Sequence, residues 1–485
     1  MTITATPLIK NGCLMVRDKV VLTKVPENVV ISSPATSGSA FIGANSSTLS
    51  SRHVFNLGIL ENSKLMCLFI LKFWWMIPRF GKSASEIPVE TQMLLLEAGE
   101  ESTLSVENDD TIEETGSQNK FYILVLAVLD GAFRTTLQGT PSNELHFCYE
   151  SGDPEVQTCE ALEGVFVNSG ENPFELIKDS IKCAPAHLDW FGWCTWDAFY
   201  TDVTPNGIKQ GLQSFKDGGI SPKFLIIDDG WQEMANEYHQ EGEALIEGTQ
   251  YSIRLTDIKE NSKFRGSKSD GSSTNLKELI YYIKENYGLK YVYIWHTIIG
   301  YWGGLLASSE ALKKYDPKIE YPVQSPGHIG NVIDKSVENL EKYGLGLIDP
   351  QKVFDFYNDM HRYLAGSGVD GVKADGQNIL GTLGSGYGGR VSIAKQYLEA
   401  LDESIEKNFS ARALGGCPVY VSDKPGKHDF NILKKLVLPD GSILRARYAG
   451  RPTRDCLFID PVMDGERGVV SLSLSLVASP FACSF

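Results

Sequence analysis

From residue 190 to residue 408 the chain alternates short apolar strands with amphipathic helices, and this alternation limits its fold more than any other feature. Strands are predicted over residues 190–196, 224–229, 291–295 and 369–375. Helices are predicted over residues 172–182, from 204, around 276–283, over 350–364 and over 390–407. Since parallel strands are joined by crossover helices, repeated units of this kind predict a parallel sheet.

Polar and aromatic side chains gather where these strands end. They are Trp193, Trp196, Asp197, Asp228, Asp229, Trp231, Trp295, His296, Lys373 and Asp375. A TIM barrel keeps its active site at the carboxyl ends of its strands. A doubly wound sheet is the alternative, but it does not predict charges at every strand end.

The barrel is expected to be incomplete. Beyond the four strands, only residues 418–423 read as one more, so a (β/α)8 barrel lacks about three β/α units. We therefore expect a multidomain chain with an N-terminal β-sandwich over residues 1–171, a partial TIM-type barrel over 172–435 and a truncated C-terminal β segment over 436–485. Asn172 before Pro173 is typical of a helix start and marks the first boundary.

The composition and net charge limit the classes of partner and the cellular location expected for this chain. The net charge of -16 argues against nucleic acid and favours a neutral ligand such as a sugar. Nine scattered cysteines fit reduced thiols better than a disulfide framework. The apolar run over residues 65–77 is interrupted by Lys72 and is too short for a bilayer span, so we expect a buried strand with a bend. With no secretion signal at the first residues, a cytoplasmic protein is expected, with the chloroplast as the second choice.

Lys373 and Asp375 are the strongest candidates for chemistry. Side chains two residues apart on a strand share a face, and a neighbouring ammonium favours an ionised carboxylate. A charged carboxylate at a barrel mouth suits the nucleophile of a covalent glycosidase mechanism. The alternative is a structural ion pair.

The other strand-end residues also have structural interpretations that involve no contact with a substrate. Asp228 and Asp229 suit the vicinal hydroxyls of a sugar, although adjacent residues face opposite ways, so one of them is expected to brace the loop. The tryptophans suit stacking on a sugar, with core packing as the default for each one.

Two motifs favour cofactor readings only weakly. Residues 384–389 match G-x-G-x-x-G before a helix, but they do not open directly from a strand, and a flexible loop over the sugar site is the better interpretation. His296 has no second ligand at metal spacing. Neither a metal nor an organic cofactor is therefore expected.

Four segments of the chain resemble the plant raffinose synthase family, also called seed imbibition proteins or alkaline α-galactosidases. They are Trp-Phe-Gly-Trp-Cys-Thr-Trp-Asp-Ala-Phe-Tyr at 190–200, Leu-Ile-Ile-Asp-Asp-Gly-Trp-Gln at 225–232, Val-Asp-Gly-Val-Lys-Ala-Asp at 369–375 and Val-Ser-Asp-Lys-Pro-Gly at 421–426. The resemblance covers residues 1 to about 465.

This resemblance implies retaining α-galactosyl transfer, from galactinol to sucrose or, as the alternative, to water. It makes Asp375 the nucleophile. It makes the following residues substrate-binding: Asp228, Asp229, Lys373, Trp295, Trp193, Trp196, Asp197 and Trp231. The expected partners are small sugars such as galactinol, sucrose and raffinose-type oligosaccharides, with no nucleic acid and no membrane.

The chain departs from the family at its acid/base aspartate. The family carries this residue in an Arg-x-Ser-Asp-Asp-Phe motif on a later barrel strand, and no such motif occurs here. Phe409 joins directly to Ser410 where further barrel units are expected, and the uncharged end of the chain resembles sequence from outside the normal reading frame. Asp423 is the one carboxylate near a late strand end that could substitute. A second hypothesis is therefore a catalytically weak product that only binds sugar.

Overall fold

The N-terminal part of the chain is all-β. The computed structural model describes residues 6–32, 38–60, 63–72, 75–98, 120–180, 190–238, 248–266, 275–331, 335–409, 419–443, 451–452, 457–458 and 472–473. In chain order, strands β1 to β14 are Leu8–Lys10, Cys13–Val16, Lys19–Thr23, Val29–Ser32, Ser39–Ser50, Arg52–Leu60, Leu65–Lys72, Trp75–Gly81, Thr91–Ala98, Phe121–Ala127, Leu129–Asp130, Phe133–Gly139, Glu144–Glu150 and Thr158–Gly170.

These strands form one continuous 14-stranded sheet with antiparallel pairing. Alternate residues of a strand face opposite sides, so Leu94 and Leu96 of β9 enter the main core with Ile123 of β10. Leu95 and Leu124 pack on the other side, against Leu176. Within the described residues, the expected sandwich is thus a single sheet around one main core, with a smaller cluster outside it. The apolar run over residues 65–77 forms the hairpin β7–β8.

Several helices begin directly after a residue whose side chain caps them. Helices α1 to α9 are Pro173–Ser180, Trp196–Phe199, Pro205–Asp217, Leu276–Tyr287, Pro326–Asn331, Lys335–Tyr343, Val353–Gly366, Arg390–Asn408 and Phe430–Leu436. Thr204 caps α3 by accepting from the Gly207 N–H, and Asn275 caps α4 by accepting from the Glu278 N–H. None of the helices in the described ranges has the length and apolar composition that a membrane span requires.

The strands that follow are β15 to β25. They are Phe191–Cys194, Phe224–Ile227, Gln232–Asn236, Ile253–Glu260, Tyr291–Thr297, Lys318–Glu320, Leu345–Leu347, Gly371–Asp375, Val419–Val421, Arg451–Pro452 and Leu472–Ser473. Five of them form a parallel sheet in the order β22-β19-β16-β15-β23.

The strand order of the parallel sheet shows where the barrel is incomplete. The last strand, β23, pairs with the first, β15, which is the pairing that closes a (β/α)8 barrel. The sheet stays open, however, because β22 and β23 each lack a second partner strand within the described ranges.

Some elements differ from the sequence prediction. The strand predicted over residues 190–196 ends at Cys194, and Trp196 begins the short helix α2. The antiparallel pairs β17–β18 and β20–β21 were not predicted, because their strands lie inside connections between barrel strands. The acidic segment 100–118, predicted as an exposed hairpin or loop, lies outside the described residues, as does most of 436–485.

A buried charge network joins the N-terminal sheet to the helical part. Arg134 forms a bidentate pair with Glu90 and a second pair with Glu150. Arg390 of α8 donates to the same Glu150 at 3.0 Å, and Ser325 donates to Glu90 at 2.8 Å. The two parts therefore share desolvated charges rather than touching only through a linker.

Candidate active site

The register of the parallel sheet brings Asp228 and Lys373 together. Lys373 Nζ lies 2.8 Å from Asp228 Oδ2, and the Cys194 thiol donates to the same oxygen at 3.3 Å. The Asp228 N–H donates to Thr195 Oγ1. Side chains from β22, β16 and β15 thus meet at one carboxylate, at the carboxyl end of the sheet, with Lys373 reaching across the intervening strand β19.

The partner of Lys373 differs from the sequence expectation, which paired it with Asp375. Burial opposes the charged form of Lys373, but the attraction of Asp228 outweighs it and raises the pKa of the ammonium. Burial, reinforced by the charge of Asp228, raises the pKa of the Cys194 thiol to about 12, so this cysteine stays protonated and acts as a donor.

Asp375 is held by donors other than Lys373. Trp295 Nε1 donates to Asp375 Oδ2 at 3.1 Å, and the Gly376 N–H donates to Asp375 Oδ1 at 2.7 Å. Its backbone carbonyl accepts from the Ile298 N–H at 2.7 Å. Because both carboxylate oxygens and the backbone are fixed, the side chain has a defined orientation at the end of β22.

Asp229 points to the other side of the strand end from Asp228. Its Oδ2 accepts from Trp302 Nε1 at 2.9 Å and from the Tyr301 hydroxyl at 3.2 Å. Burial raises the pKa of this carboxyl group to about 6. Asp229 therefore braces the loop after β19, as expected for one member of the Asp228–Asp229 pair, and its contact with sugar remains a prediction.

The predicted tryptophans have different surroundings. Trp193 is fully buried on the helix side of the sheet, against Phe215 and Gly211 of α3, so core packing replaces the predicted sugar contact. Trp231 is also fully buried and donates to the Trp295 carbonyl at 2.8 Å. Trp196 is partly exposed beside Tyr200, and Asp197 is exposed with its N–H bound to Ser422 Oγ.

Tyr301 and Trp302 were missed by the sequence analysis. They lie in a loop, where no strand or helix period indicates which side chain points inward. The signal that could have found them is the sequence Gly-Tyr-Trp-Gly-Gly at residues 300–304, directly after the strand that carries Trp295. Glycines flanking two aromatic residues indicate a tight backbone with fixed side chains.

His296 has a histidine partner that sequence spacing could not reveal. His361 of α7 places its Nε2 at 3.2 Å from His296 Nε2, while His361 Nδ1 lies 2.8 Å from Ser404 Oγ. Burial lowers the pKa of His296 to about 4, so both rings are neutral at pH 7. Among the described residues, no group of three or more His, Cys, Asp or Glu residues is arranged to hold a metal ion.

The glycine motif binds an internal carboxylate. The N–H groups of Gly386 and Gly388 donate to Asp153 Oδ2 at 3.0 and 3.1 Å, and both glycines have positive φ angles. The loop therefore fastens the helical part to the N-terminal sheet, in place of the mobile sugar cover predicted from its sequence. This contact argues against a dinucleotide site, because the backbone N–H groups that would bind a phosphate already donate to Asp153.

Asp423 does not complete the site in the part of the chain that is described. It follows β23, the edge strand opposite to the β22 edge that carries Asp375. Its Oδ2 lies 3.6 Å from His428 Nδ1, and its backbone carbonyl accepts from Trp193 Nε1.

The arrangement defines a class of protein. A parallel β/α sheet whose carboxyl edge carries an oriented carboxylate, an ion pair and indole groups is typical of a (β/α)-barrel enzyme that acts on sugars. The chain belongs to the family described as raffinose synthase or seed imbibition protein Sip1, whose model matches residues 8–411 and 409–472. The two matched segments meet where the sequence analysis places the missing barrel units.

Several relatives cover nearly the whole chain. The probable galactinol–sucrose galactosyltransferase 1 of Arabidopsis thaliana is 41% identical over 565 aligned positions, covering 96% of this chain and 74% of that protein. The stachyose synthase of Pisum sativum is 28% identical, covering 87% and 68%. Because the first alignment is longer than the 485-residue chain, that relative has residues that this chain lacks. The solved α-galactosidase TtGalA of Thermus thermophilus is 13% identical with a TM-score of 0.45, over 82% of this chain and 71% of that chain.

Proposed function

We propose that this chain performs the first half of retaining α-galactosyl transfer in raffinose-type sugar metabolism, with Asp375 as the nucleophile. An Asp375 oxygen attacks the anomeric carbon of an α-galactoside, and the bond from that carbon to the leaving oxygen breaks. The observation that carries the proposal is the fixed orientation of Asp375 by Trp295 and Gly376, beside the Asp228–Lys373 pair. Membership of a family with galactosyltransferase relatives supports the galactosyl chemistry.

We propose that this half-reaction belongs to the transfer of galactose from galactinol to sucrose, which forms raffinose, and that the missing acid makes the complete transfer slow in this chain. In the second half, an acceptor hydroxyl attacks the anomeric carbon of the galactosyl–Asp375 ester, the bond to Asp375 breaks, and the proton passes to solvent because the acid/base residue of the family is absent. Hydrolysis by water is the alternative, as in an α-galactosidase, and only acceptor binding separates the two outcomes.

A specific observation favours a second candidate function, which is a sugar-binding product of low turnover. The acid/base motif of the family is missing from the sequence, and the parallel sheet is open at β22 and β23 within the described residues. Absence of one general acid/base lowers the rate by about 10²–10⁴-fold.

Two substrates separate these possibilities. Nitrophenyl α-galactoside has a leaving group that needs little protonation, whereas raffinose needs an acid. We expect release of nitrophenol and no cleavage of raffinose. Cleavage of both would show that an acid is present, and failure to bind or cleave either would refute the proposed function.

The variant Asp375→Asn should abolish nitrophenol release, lowering it by roughly 10⁴-fold or more, because the nucleophile is lost. Asp217→Asn is the matched control, since Asp217 lies at the exposed end of α3 and its side chain accepts from Gln213 Nε2. Equal activity of the two variants would contradict the assignment of Asp375.

A further inference from the structure

The loop after β19 is anchored on all sides. The Gly303 N–H donates to the Ile253 carbonyl at 2.9 Å, and Gln232 Nε2 donates to the Gly300 carbonyl at 3.1 Å. A Cβ atom on Gly304 would lie 2.2 Å from the Gly346 carbonyl oxygen, so only glycine fits there. The two aromatic residues between these glycines are therefore held in defined positions.

Trp302 is the member of this pair that faces a cleft. Its ring lies 5.5 Å from the Trp295 ring and 5.7 Å from the Tyr251 ring, measured between centroids. Together with Thr297 and Gly376 it lines a small cleft. Thr297 is the strand partner of Asp375, and Gly376 follows Asp375, so the cleft adjoins the proposed nucleophile.

The cleft also has an unsatisfied polar group. Thr297 Oγ1 is buried and has no hydrogen-bond partner among the described residues. Buried hydroxyl groups are normally bonded, so this one indicates that a polar ligand completes the cleft. An indole wall beside a lone hydroxyl suits a sugar, which has apolar C–H faces and hydroxyl edges.

We propose that Trp302 contacts the sugar as the aromatic wall of this cleft, and that Asp229 is its positioning residue. The proposal rests on the proposed function and adds a specificity residue to it. Asp229 accepts the indole N–H at 2.9 Å and so fixes the plane of the ring. The sugar class expected is an α-galactoside that contacts the Trp302 face at the mouth of the cleft, because the cleft itself has a volume of about 10 Å³ and admits only a group of the size of a hydroxyl.

Raffinose binding to the intact chain, measured by calorimetry, tests this proposal. Trp302→Ala should weaken binding by roughly tenfold or more, and Trp302→Phe should weaken it less because an aromatic face remains. Trp190→Phe is the control, because Trp190 lies at the opposite end of β15 and packs under Lys290. A wild-type Kd for Trp302→Ala would overturn the proposal.

A pH series tests the positioning role. Besides Trp302, the groups around Asp229 are Asp228, Tyr301 and Lys263. Raffinose binding should weaken as the pH falls through about 6, because protonation of Asp229 removes the charge that holds the indole. Asp229→Asn should lose this pH dependence, and an unchanged pH profile would contradict the role.

The two proposals fail in different ways. If wild-type chain binds raffinose and Trp302→Ala binds it equally well, only the role of Trp302 is wrong. If wild-type chain neither binds raffinose nor releases nitrophenol, the proposed function is wrong and the role of Trp302 with it. Should Trp302→Ala not fold, as judged by its thermal unfolding, Trp302→Phe and Asp229→Asn still decide the matter.

Discussion

The N-terminal sheet and the parallel sheet differ in how completely their strands and charged groups are paired. In the first, fourteen strands form one continuous sheet around a main core, and Arg134 is bound by two carboxylates. In the second, the strand at each edge lacks a further partner within the described residues, although one edge carries Asp375. The difference indicates that the residues missing from this chain belong to the parallel sheet that carries Asp375, whereas the N-terminal sheet that packs against the helical part is not affected.

The largest effect on stability is expected at the charge network between the two parts. Arg134→Met leaves Glu90 and Glu150 buried without their main partner and should lower the unfolding free energy by about 3–5 kcal/mol. Arg362→Met is the control, because Arg362 pairs with Asp359 at the surface and its loss should cost about 0–1 kcal/mol. Denaturant unfolding measures both, and equal losses would contradict the comparison.

Next in size is a pH effect on the helical side of the parallel sheet. The pKa of His296 is about 4 in the folded chain and 6.5 in the unfolded reference, so the unfolded state binds more protons between these values. Stability should therefore be complete above pH 6.5 and fall by roughly 3 kcal/mol as the pH drops through this window. Unfolding at pH 7 and pH 4 measures it.

The variant His361→Gln separates this pair from other titrating groups. It removes one ring of the contact and should flatten the dependence of stability on pH below 6.5, because one fewer buried histidine resists protonation. If the stability of this variant falls with pH as steeply as that of the wild type, groups other than this histidine pair determine the loss of stability at acidic pH.

The smallest effect is expected at the glycine loop. Asp153→Asn removes the charge that accepts the Gly386 and Gly388 N–H groups and should cost about 1–2 kcal/mol, with faster hydrogen exchange at these amides. Asp130→Asn is matched to it, since Asp130 also accepts two N–H groups, from Leu162 and Glu163, but within the N-terminal sheet. Faster exchange of the loop in both variants would show that the contact is not specific.

Much of the fold could be predicted from periodicity and capping residues. The helix after Thr204-Pro205 buries Ile208, Leu212 and Phe215 as its spacing predicts. The apolar strands at 224–227 and 371–375 also lie where predicted. These signals are local, so a single sequence suffices to detect them.

The contacts between distant segments could not be predicted. The pairing of Lys373 with Asp228 depends on the strand order of the sheet, in which β19 separates their two strands, and the partner of His296 is His361, 65 residues away. The glycine motif was predicted to form a flexible loop over the sugar site, although its N–H groups bind Asp153 from the N-terminal part of the chain. Such contacts follow from tertiary packing, which local pattern does not contain.

Rapid mixing of the chain with nitrophenyl α-galactoside tests most directly whether the chain has a working nucleophile but lacks the general acid/base. A chain with Asp375 and no general base should release nitrophenol in a burst equal to the chain concentration, then turn over slowly while galactose stays attached to Asp375. Intact mass spectrometry should show that adduct, and azide, which needs no general base, should speed turnover. Steady turnover without a burst, no adduct and no effect of azide would contradict this picture.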